Sequence, residues 1–453
     1  MTATRLTPVL VALAAFAVAI ARAPSDPDMF WHLASGKWMV EHGAILRNDV
    51  FSSTVTGQPY SVGEWLGEIV LYEAYALAGW AGIVLLRGIL VAIAAFFVTR
   101  IALRAGHALV AVPLAIAALL LSSVVWTDRP QLFTLALFPL LLDVLLLARE
   151  GRTRLLAVVP PLLLVWTDLH GGYALGLALV LVFALDAVIR RSEVRAYVVV
   201  AALAAAATLL DPGALGIGAA VGHAASPPRY IVEEAPPDVL TPAGMLFALF
   251  VLGTLAVGMR TGGTLVDAFL LIPLLWLALS AQRDMPYFAF AAVPYLAGRA
   301  AGALPRLRWT IPLPAAPRVV LPAIAIALVA VAILALGSVP AAPNEAAYPA
   351  RALAAVRSGT GTLLNEYDWG GYLIWNAPER PVFIDGRLLP YLPNVLADFN
   401  TAVALGPGWR DILTRDRVTA VLLRPDRPLV GALREDGWRD VVADTRFVLL
   451  ERP

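Results

Sequence analysis

Residues 6–32 read LTPVLVALAAFAVAIARAPSDPDMFWH, and the fold class turns on how this stretch divides. The apolar run 6–23 approaches the length needed to cross a bilayer. It is followed at once by Ser25-Asp26-Pro27-Asp28-Met29-Phe30-Trp31-His32, which gathers two carboxylates, two aromatics and an imidazole. Asp26 can cap a helix whose first turn opens with Pro27. On that helix Asp28, His32 and Ser35 share a face. Trp31, Ala34 and Trp38 share another, suited to a membrane interface. Ala21-Arg22-Ala23 resembles a cleavage site, which would make 6–22 a secretory leader. Pro24 after the cut and the many spans downstream favour a retained first helix.

The composition agrees with a membrane protein. Of 453 residues, 60% are hydrophobic and only 15% charged, with a mean hydropathy of +0.76, unlike a soluble domain. The net charge of +1 suggests no nucleic-acid partner. Cysteine is absent, which excludes disulfides, thiolate metal sites and cysteine nucleophiles. Lys37 is the only lysine, and no long low-complexity tail or clear internal repeat is present.

Outward from residues 6–32, apolar runs recur at 81–103, 107–126, 130–149, 153–168, 172–190, 195–210, 243–259, 263–281, 285–301 and 318–338. With 6–23 they make about eleven candidate spans. The stretch 64–80 carries Glu64, Glu68 and Glu73, and reads as an amphipathic helix lying on the membrane. Alternate connections hold the arginines: Arg100 and Arg104; Arg149, Arg152 and Arg154; Arg190, Arg191 and Arg195; Arg260; Arg299, Arg306 and Arg308. Those connections, and with them the N-terminus, are expected in the cytoplasm. The loop 24–80, the connections near 127, 170, 211–242 and 283, and the tail after 339 then lie outside, in an inner (plasma) membrane.

The outer span ends carry a different chemistry. They hold Asp26 and Asp28, Thr127-Asp128-Arg129-Pro130-Gln131, Trp166-Thr167-Asp168-Leu169-His170-Gly171-Gly172, Leu210-Asp211-Pro212-Gly213, and Gln282-Arg283-Asp284-Met285-Pro286. Any one cluster reads equally as a solvated helix cap. Five on one side favour a shared site.

The tail changes character near residue 345. Gly361–Leu364, Pro381–Asp385, Thr419–Leu423 and Phe447–Leu450 read as buried strands. Helical stretches near 347–357 and 407–415 separate some of them, which predicts a small extracytoplasmic α/β domain. Gly370-Gly371 and Asp385-Gly386-Arg387 are turn signals. No GxGxxG follows the first strand, so nucleotide binding is unsupported. The expected fold is a polytopic α-helical module over 1–338, including loop 24–80, followed by an α/β domain over 339–453.

Several stretches carry a resemblance to a family: DPDMFWHLASGKWMVEHGAILRNDVFS, GEWLGEIVLYE, DRPQLFT, WTDLHGGYALG, RDMPYFA, NEYDWGGYLIW and VFIDGR. A large outer loop after the first span, opening on an acidic motif, resembles the GT-C superfamily of integral membrane glycosyltransferases. That superfamily includes protein O-mannosyltransferases, aminoarabinose transferases and oligosaccharyltransferases, and the match is narrower still to a bacterial subgroup. The resemblance implies a lipid-phosphate-linked sugar donor and a catalytic acid in the first outer loop. Asp28 matches that position, with Asp26 the nearest alternative. The second outer carboxylate is left open among Asp49, Glu64 and Asp168.

Sugar transfer from a polyprenyl phosphate requires a base for the acceptor hydroxyl and a stabiliser for the departing phosphate. A carboxylate near the membrane surface serves the first, and arginine forks serve the second. Asp28 is therefore the expected general base; its alternative is charge stabilisation of a helix N-terminus. Asp26 is expected as a cap, or with Asp28 as a ligand of a divalent cation such as Mg²⁺ or Mn²⁺. His32 either orients Asp28, contacts the donor, or is an interfacial histidine packed by aromatics. His170, before Gly171-Gly172, allows close backbone approach to a ligand, or marks a plain helix break. Arg129 and Arg283 are the candidates for the lipid phosphate, against ion pairing with Asp128 or Asp284. Glu64 and Glu68 line the cavity or, more in keeping with their spacing, form a solvated face. Trp369 either stacks on sugar or is buried in the α/β core. The expected partners are a polyprenyl-phosphate-sugar donor, membrane lipid and an extracytoplasmic acceptor. The competing readings are a transporter, with Asp143, Asp186 and Asp267 as intramembrane charges, and a silent glycan-binding scaffold.

Overall fold

The computed structural model describes residues 3–60, 62–211, 234–303 and 345–453, with scattered positions between 326 and 343. The chain is mostly helical. In order come α1 (Ala3–Ile20), α2 (Met29–His42), α3 (Trp65–Ala78), α4 (Trp80–Ala105), α5 (Ala108–Ser122), α6 (Gln131–Arg149) and α7 (Val159–Leu169). Then follow α8 (Tyr173–Arg190), α9 (Val194–Thr208), α10 (Pro242–Thr261), α11 (Leu265–Ser280) and α12 (Met285–Ala303). The tail adds α13 (Leu353–Ser358), β1 (Thr362–Asn365), α14 (Gly370–Asn376), α15 (Asn394–Val403), α16 (Trp409–Arg415), β2 (Val418–Leu423), α17 (Pro428–Glu435), β3 (Arg439–Ala443) and β4 (Val448–Glu451).

Two compact units form, and they are not the expected 1–338 and 339–453. One combines 1–23 with 81–339; the other combines 24–80 with 340–453. The outer loop thus packs with the tail. The physical reason is backbone pairing: Val382 bridges Ser52 on one side and Leu363 of β1 on the other. Val382 N–H donates to Phe51 O at 3.1 Å, and Ser53 N–H to Val382 O at 2.8 Å.

The first unit is a bundle. Among the described residues, five helical stretches are long and apolar enough to cross a membrane: Trp80–Ala105, Ala108–Val125, Gln131–Arg149, Tyr173–Arg190 and Pro242–Thr261. Leu6–Ile20, Val194–Thr208 and Leu265–Ser280 are apolar but shorter. The expected span 153–168 divides into a 3-10 turn and the 11-residue α7. At 1.5 Å per residue α7 covers only about half the hydrocarbon thickness. Most of the expected span 318–338 lies outside the described residues. At the centre, α12 packs against α5, α10 and α11, burying Phe288, Phe290 and Val293.

The three intramembrane aspartates are ion-paired. Arg100 and Arg104 each reach Asp143 at 2.5 Å. Asp186 takes Arg149 at 2.8 Å and Arg190 at 2.7 Å, and Asp267 takes Arg299 at 2.6 Å. Asp267 also closes a capping box with Thr264, which starts α11.

The second unit is built on a sheet ordered β1-β2-β4-β3, parallel between β1 and β2 and antiparallel elsewhere. The parallel pair requires a crossover, which α14 to α16 supply. Expected strands at 361–364, 419–423 and 447–450 are present. The expected strand 381–385 is instead an extended segment held by single bridges and by Asn365, whose side chain accepts from Phe383 N–H at 2.8 Å and donates to Ile384 O at 2.8 Å. Trp369 is buried, as the core reading required.

Candidate functional site

In the second unit the acidic motif sits at a helix start. Asp28, half-buried, is the N-cap residue of α2, and its backbone N–H donates to Asp26 Oδ1 at 2.9 Å. The helix therefore opens after Asp28, not at Pro27, and Asp26 braces the turn before it. The walls around Asp28 are glycines from the tail. A Cβ on Gly386 would lie 2.1 Å from Asp28 Oδ1 and 3.2 Å from Trp31 Nε1. A Cβ on Gly371 would meet Pro27 O at 3.0 Å and Trp31 Cδ1 at 3.3 Å. A side chain at Gly386 would force the Asp28 carboxylate to shift, and one at Gly371 would press on Pro27 and Trp31. Phe30 anchors the same turn, with its ring 5.2 Å from both Tyr348 and Tyr372 and 5.8 Å from Trp80. Burial raises the Tyr348 hydroxyl pKa, and the charges of Asp26 and Asp28 raise it further.

One turn along α2, His32 is buried and its Nδ1 lies 3.1 Å from Glu68 Oε1. Glu68 is 1% exposed, which corrects the solvated-face reading. Burial, then the charge of Glu64, raises its pKa well above the ordinary carboxylate value. The pair exists because α2 and α3 cross closely: a Cβ on Gly36 would lie 2.2 Å from Glu68 O. Glu64, half-buried, is the N-cap residue of α3. Asp49 is committed elsewhere: it accepts from Ser52 N–H at 3.0 Å and Ser52 Oγ–H at 2.7 Å, and pairs with Arg387 at 2.6 Å.

The remaining candidates belong to the first unit. Asp128 is held by Arg87, whose Nη1 lies 2.8 Å from both carboxylate oxygens, and both residues are buried. Arg283 pairs with Glu234 at 2.6 Å. Arg129 Nε donates to Thr127 Oγ1 and its Nη2 to Gln131 Oε1, both at 3.4 Å. His170 caps the end of α7, two residues beyond the half-buried Asp168. Its Nδ1 takes the Gly172 N–H at 2.9 Å and the Thr134 hydroxyl at 2.7 Å, and Thr134 in turn accepts from Trp166 Nε1 at 2.9 Å. Burial, then the charges of Arg283 and Arg129, pushes the His170 pKa down to about 3. The structure thus brings Arg129 and Arg283 each within electrostatic reach of His170.

The cation expectation finds a thin donor set. Asp26 Oδ1 already accepts a backbone N–H, and among the described residues no group of three or more His, Asp or Glu side chains could hold a metal ion. The partners Arg87, Thr134, Arg387 and Tyr391 were missed in the sequence. Arg87 carried a signal, as a lone charge inside an apolar run, and Arg387 stood in a turn signal that did not reveal its burial.

No family model and no curated protein sequence matches the chain. Solved structures do. The apo oligosaccharyltransferase of Archaeoglobus fulgidus superposes with a TM-score of 0.67 at 13% identity, covering 93% of this chain and 69% of that one. The same organism's AglB, in complex with an inhibitory peptide and a dolichol-phosphate, gives 0.59 at 13% identity, covering 92% and 69%. ArnT from Cupriavidus metallidurans, bound to undecaprenyl phosphate, gives 0.51 at 17% identity, covering 99% and 98%. At these identities the likeness is one of fold. The chain is an integral membrane protein with the fold of the GT-C membrane glycosyltransferases.

Proposed function

We propose that the protein transfers a sugar from a polyprenyl-phosphate-linked donor to an extracytoplasmic acceptor, with Asp28 as general base. The observation that carries this reading is the housing of Asp28. A half-exposed carboxylate is fixed at the head of a helix by Asp26 and walled by side-chain-free backbone at Gly386. A carboxylate that served only to cap α2 would accept that helix's own N–H groups, whereas no such side-chain cap bond forms.

In the reaction, the acceptor oxygen forms a bond to the anomeric carbon as the bond from that carbon to the phosphate oxygen breaks. The acceptor proton goes to the Asp28 carboxylate, and polyprenyl phosphate leaves with the electron pair. Arg129 and Arg283 are assigned to the phosphate, because guanidinium forks pair with phosphate oxygens. His170, neutral and unprotonated on Nδ1, adds no charge to that group and offers its Nε2–H as a donor. Asp168, Glu64 and His32 are further candidates for contacts to donor or acceptor, each within its own unit. Among the described residues a divalent cation would have only Asp26 and Asp28 as carboxylate ligands, and Asp26 Oδ1 already accepts a backbone N–H. Two of the structural neighbours were solved with dolichol-phosphate and with undecaprenyl phosphate bound, which supports a lipid donor. The arginine-bearing connections favour a cytoplasmic N-terminus, and with it a reaction on the opposite face.

Purified protein incubated with a radiolabelled polyprenyl-phosphate sugar pool should release free polyprenyl phosphate. Asp28→Asn keeps size and polarity but removes the base, and should lower turnover by about 10²–10⁴-fold. Turnover at the wild-type rate in that variant would end the proposal.

A further inference from the structure

Arg387 is the most heavily engaged cation in the second unit, and nothing in the proposed chemistry uses it. Its side chain is 0% exposed, as are those of Asp49 and Asp385. Nη1 pairs with Asp49 Oδ1 at 2.6 Å, Nη2 with Asp385 Oδ2 at 2.6 Å, and Nε donates to Asp385 Oδ1 at 2.8 Å. Nη2 also donates to Tyr391 Oη at 2.9 Å, and the Tyr391 hydroxyl donates to Asp385. The rings of Phe51 and Tyr60 each lie 5.1 Å from the guanidinium carbon. Three of these anchors, Asp49, Phe51 and Tyr60, come from the outer loop; Asp385 and Tyr391 come from the tail.

A clasp of this kind is poor evidence for stability. Buried ion pairs are often matched or bettered by apolar groups of the same volume, and their best-attested use is to fix one geometry. The geometry fixed here is the three-residue turn 385–387. Both flanking side chains point into the clasp, and Arg387 N–H closes the turn on Asp385 Oδ1 at 3.0 Å. The residue between them, Gly386, is the one whose backbone meets Asp28.

We propose that Arg387, held by Asp49 and Asp385, is a positioning residue for Asp28, acting through the Gly386 backbone. The clasp locks the turn, the turn forms the wall, and the wall sets where the Asp28 carboxylate stands. This rests on the reading of Asp28 as general base.

The test is Gly386→Ala, assayed with the donor that the radiolabelled pool identifies. The added methyl must displace the carboxylate, so kcat should fall about 10²-fold, the order expected for a misplacement near 1 Å. KM for the lipid donor should stay within about twofold. Gly431→Ala, where an added Cβ meets open space, is the matched control and should leave kcat unchanged. In an Asp28→Asn background, Gly386→Ala should cause no further loss, because its effect runs through the missing carboxylate. If Gly386→Ala fails to fold, Asp49→Asn weakens one arm of the clasp; it should lower kcat about tenfold and again add nothing to Asp28→Asn. Wild-type kcat in Gly386→Ala, or losses that multiply with Asp28→Asn, would overturn the positioning role while leaving Asp28 as base. Wild-type turnover in Asp28→Asn would instead remove the reading on which it rests.

Discussion

The proton of His170 is on Nε2. Gly172 N–H can only donate, so the Nδ1 it reaches at 2.9 Å must accept, and the Thr134 hydroxyl donates to the same atom. Burial disfavours a charged ring, and the Arg283 and Arg129 charges disfavour it further, which is why the pKa falls from the ordinary 6.5 to about 3. The folded chain therefore binds this proton later than the unfolded chain. The stabilisation is full above the unfolded value and drains away as pH falls from 6.5 toward about 3. Carbon-13 histidine NMR should show His170 as the neutral Nε2–H form down to about pH 4.5. A ring that titrates near 6.5 would mean the Thr134–Gly172 cradle does not form. At this scale the sequence was half legible. The Gly171-Gly172 pair read as close backbone approach to a ligand or as a plain helix break; it separates α7 from α8, and a Cβ on Gly172 would lie 2.3 Å from Thr134 Oγ1. Thr134 itself gave no sign, because its partner sits on another helix. The same holds for Asp385-Gly386-Arg387, which read as a turn: its burial depends on Asp49, far off in the chain.

Helices α2 and α3 show what pattern reading captures and what it loses. Helix α3, Trp65–Ala78, lies close to the expected 64–80, and α2, Met29–His42, opens two residues after the expected Pro27. The face of α3 was misjudged, since an acidic residue spaced along an amphipathic helix normally faces water. Glu68 turns inward because Gly36 lets the two backbones touch and His32 meets the carboxyl. Gly36→Ala would drive a methyl to 2.2 Å from Glu68 O, in contact with backbone that cannot swing aside. The helices must part, at a cost of about 1–3 kcal/mol, lengthening the His32–Glu68 pair. The expected result is a lower unfolding temperature in detergent with reduced turnover. Unchanged stability would show that the crossing is looser than drawn. Strand β3 was missed for the opposite reason. Its residues, Arg439-Asp440-Val441-Val442-Ala443, are largely exposed on a sheet edge, so no buried alternation marks them. The segment 381–385 was over-read because it is buried like a strand, yet only Val382 makes the bridges.

For the whole molecule, the bilayer class was plain from composition, while the grouping of the chain was not. No local pattern says that 24–80 folds with 340–453, because the stitching is backbone pairing at Val382 and one buried ion pair at Arg387. Orientation is the remaining global claim, and the chain offers a clean way to test it. It contains no cysteine, so every introduced thiol is a unique probe. Gly431 is exposed in the second unit, and Arg152 is exposed at the turn between α6 and α7. With the arginine-bearing connections in the cytoplasm, Gly431→Cys should react with a membrane-impermeant maleimide on intact cells whose outer envelope is opened. Arg152→Cys should react only after the inner membrane is permeabilised. The reverse pattern would put Asp28's loop and the tail in the cytoplasm, where an extracytoplasmic acceptor could not reach the base. Labelling of both from outside would break the alternation of spans on which the sidedness rests. The outcome bears on the chemistry directly, because a polyprenyl-linked sugar is consumed on the side where its headgroup and the acceptor meet.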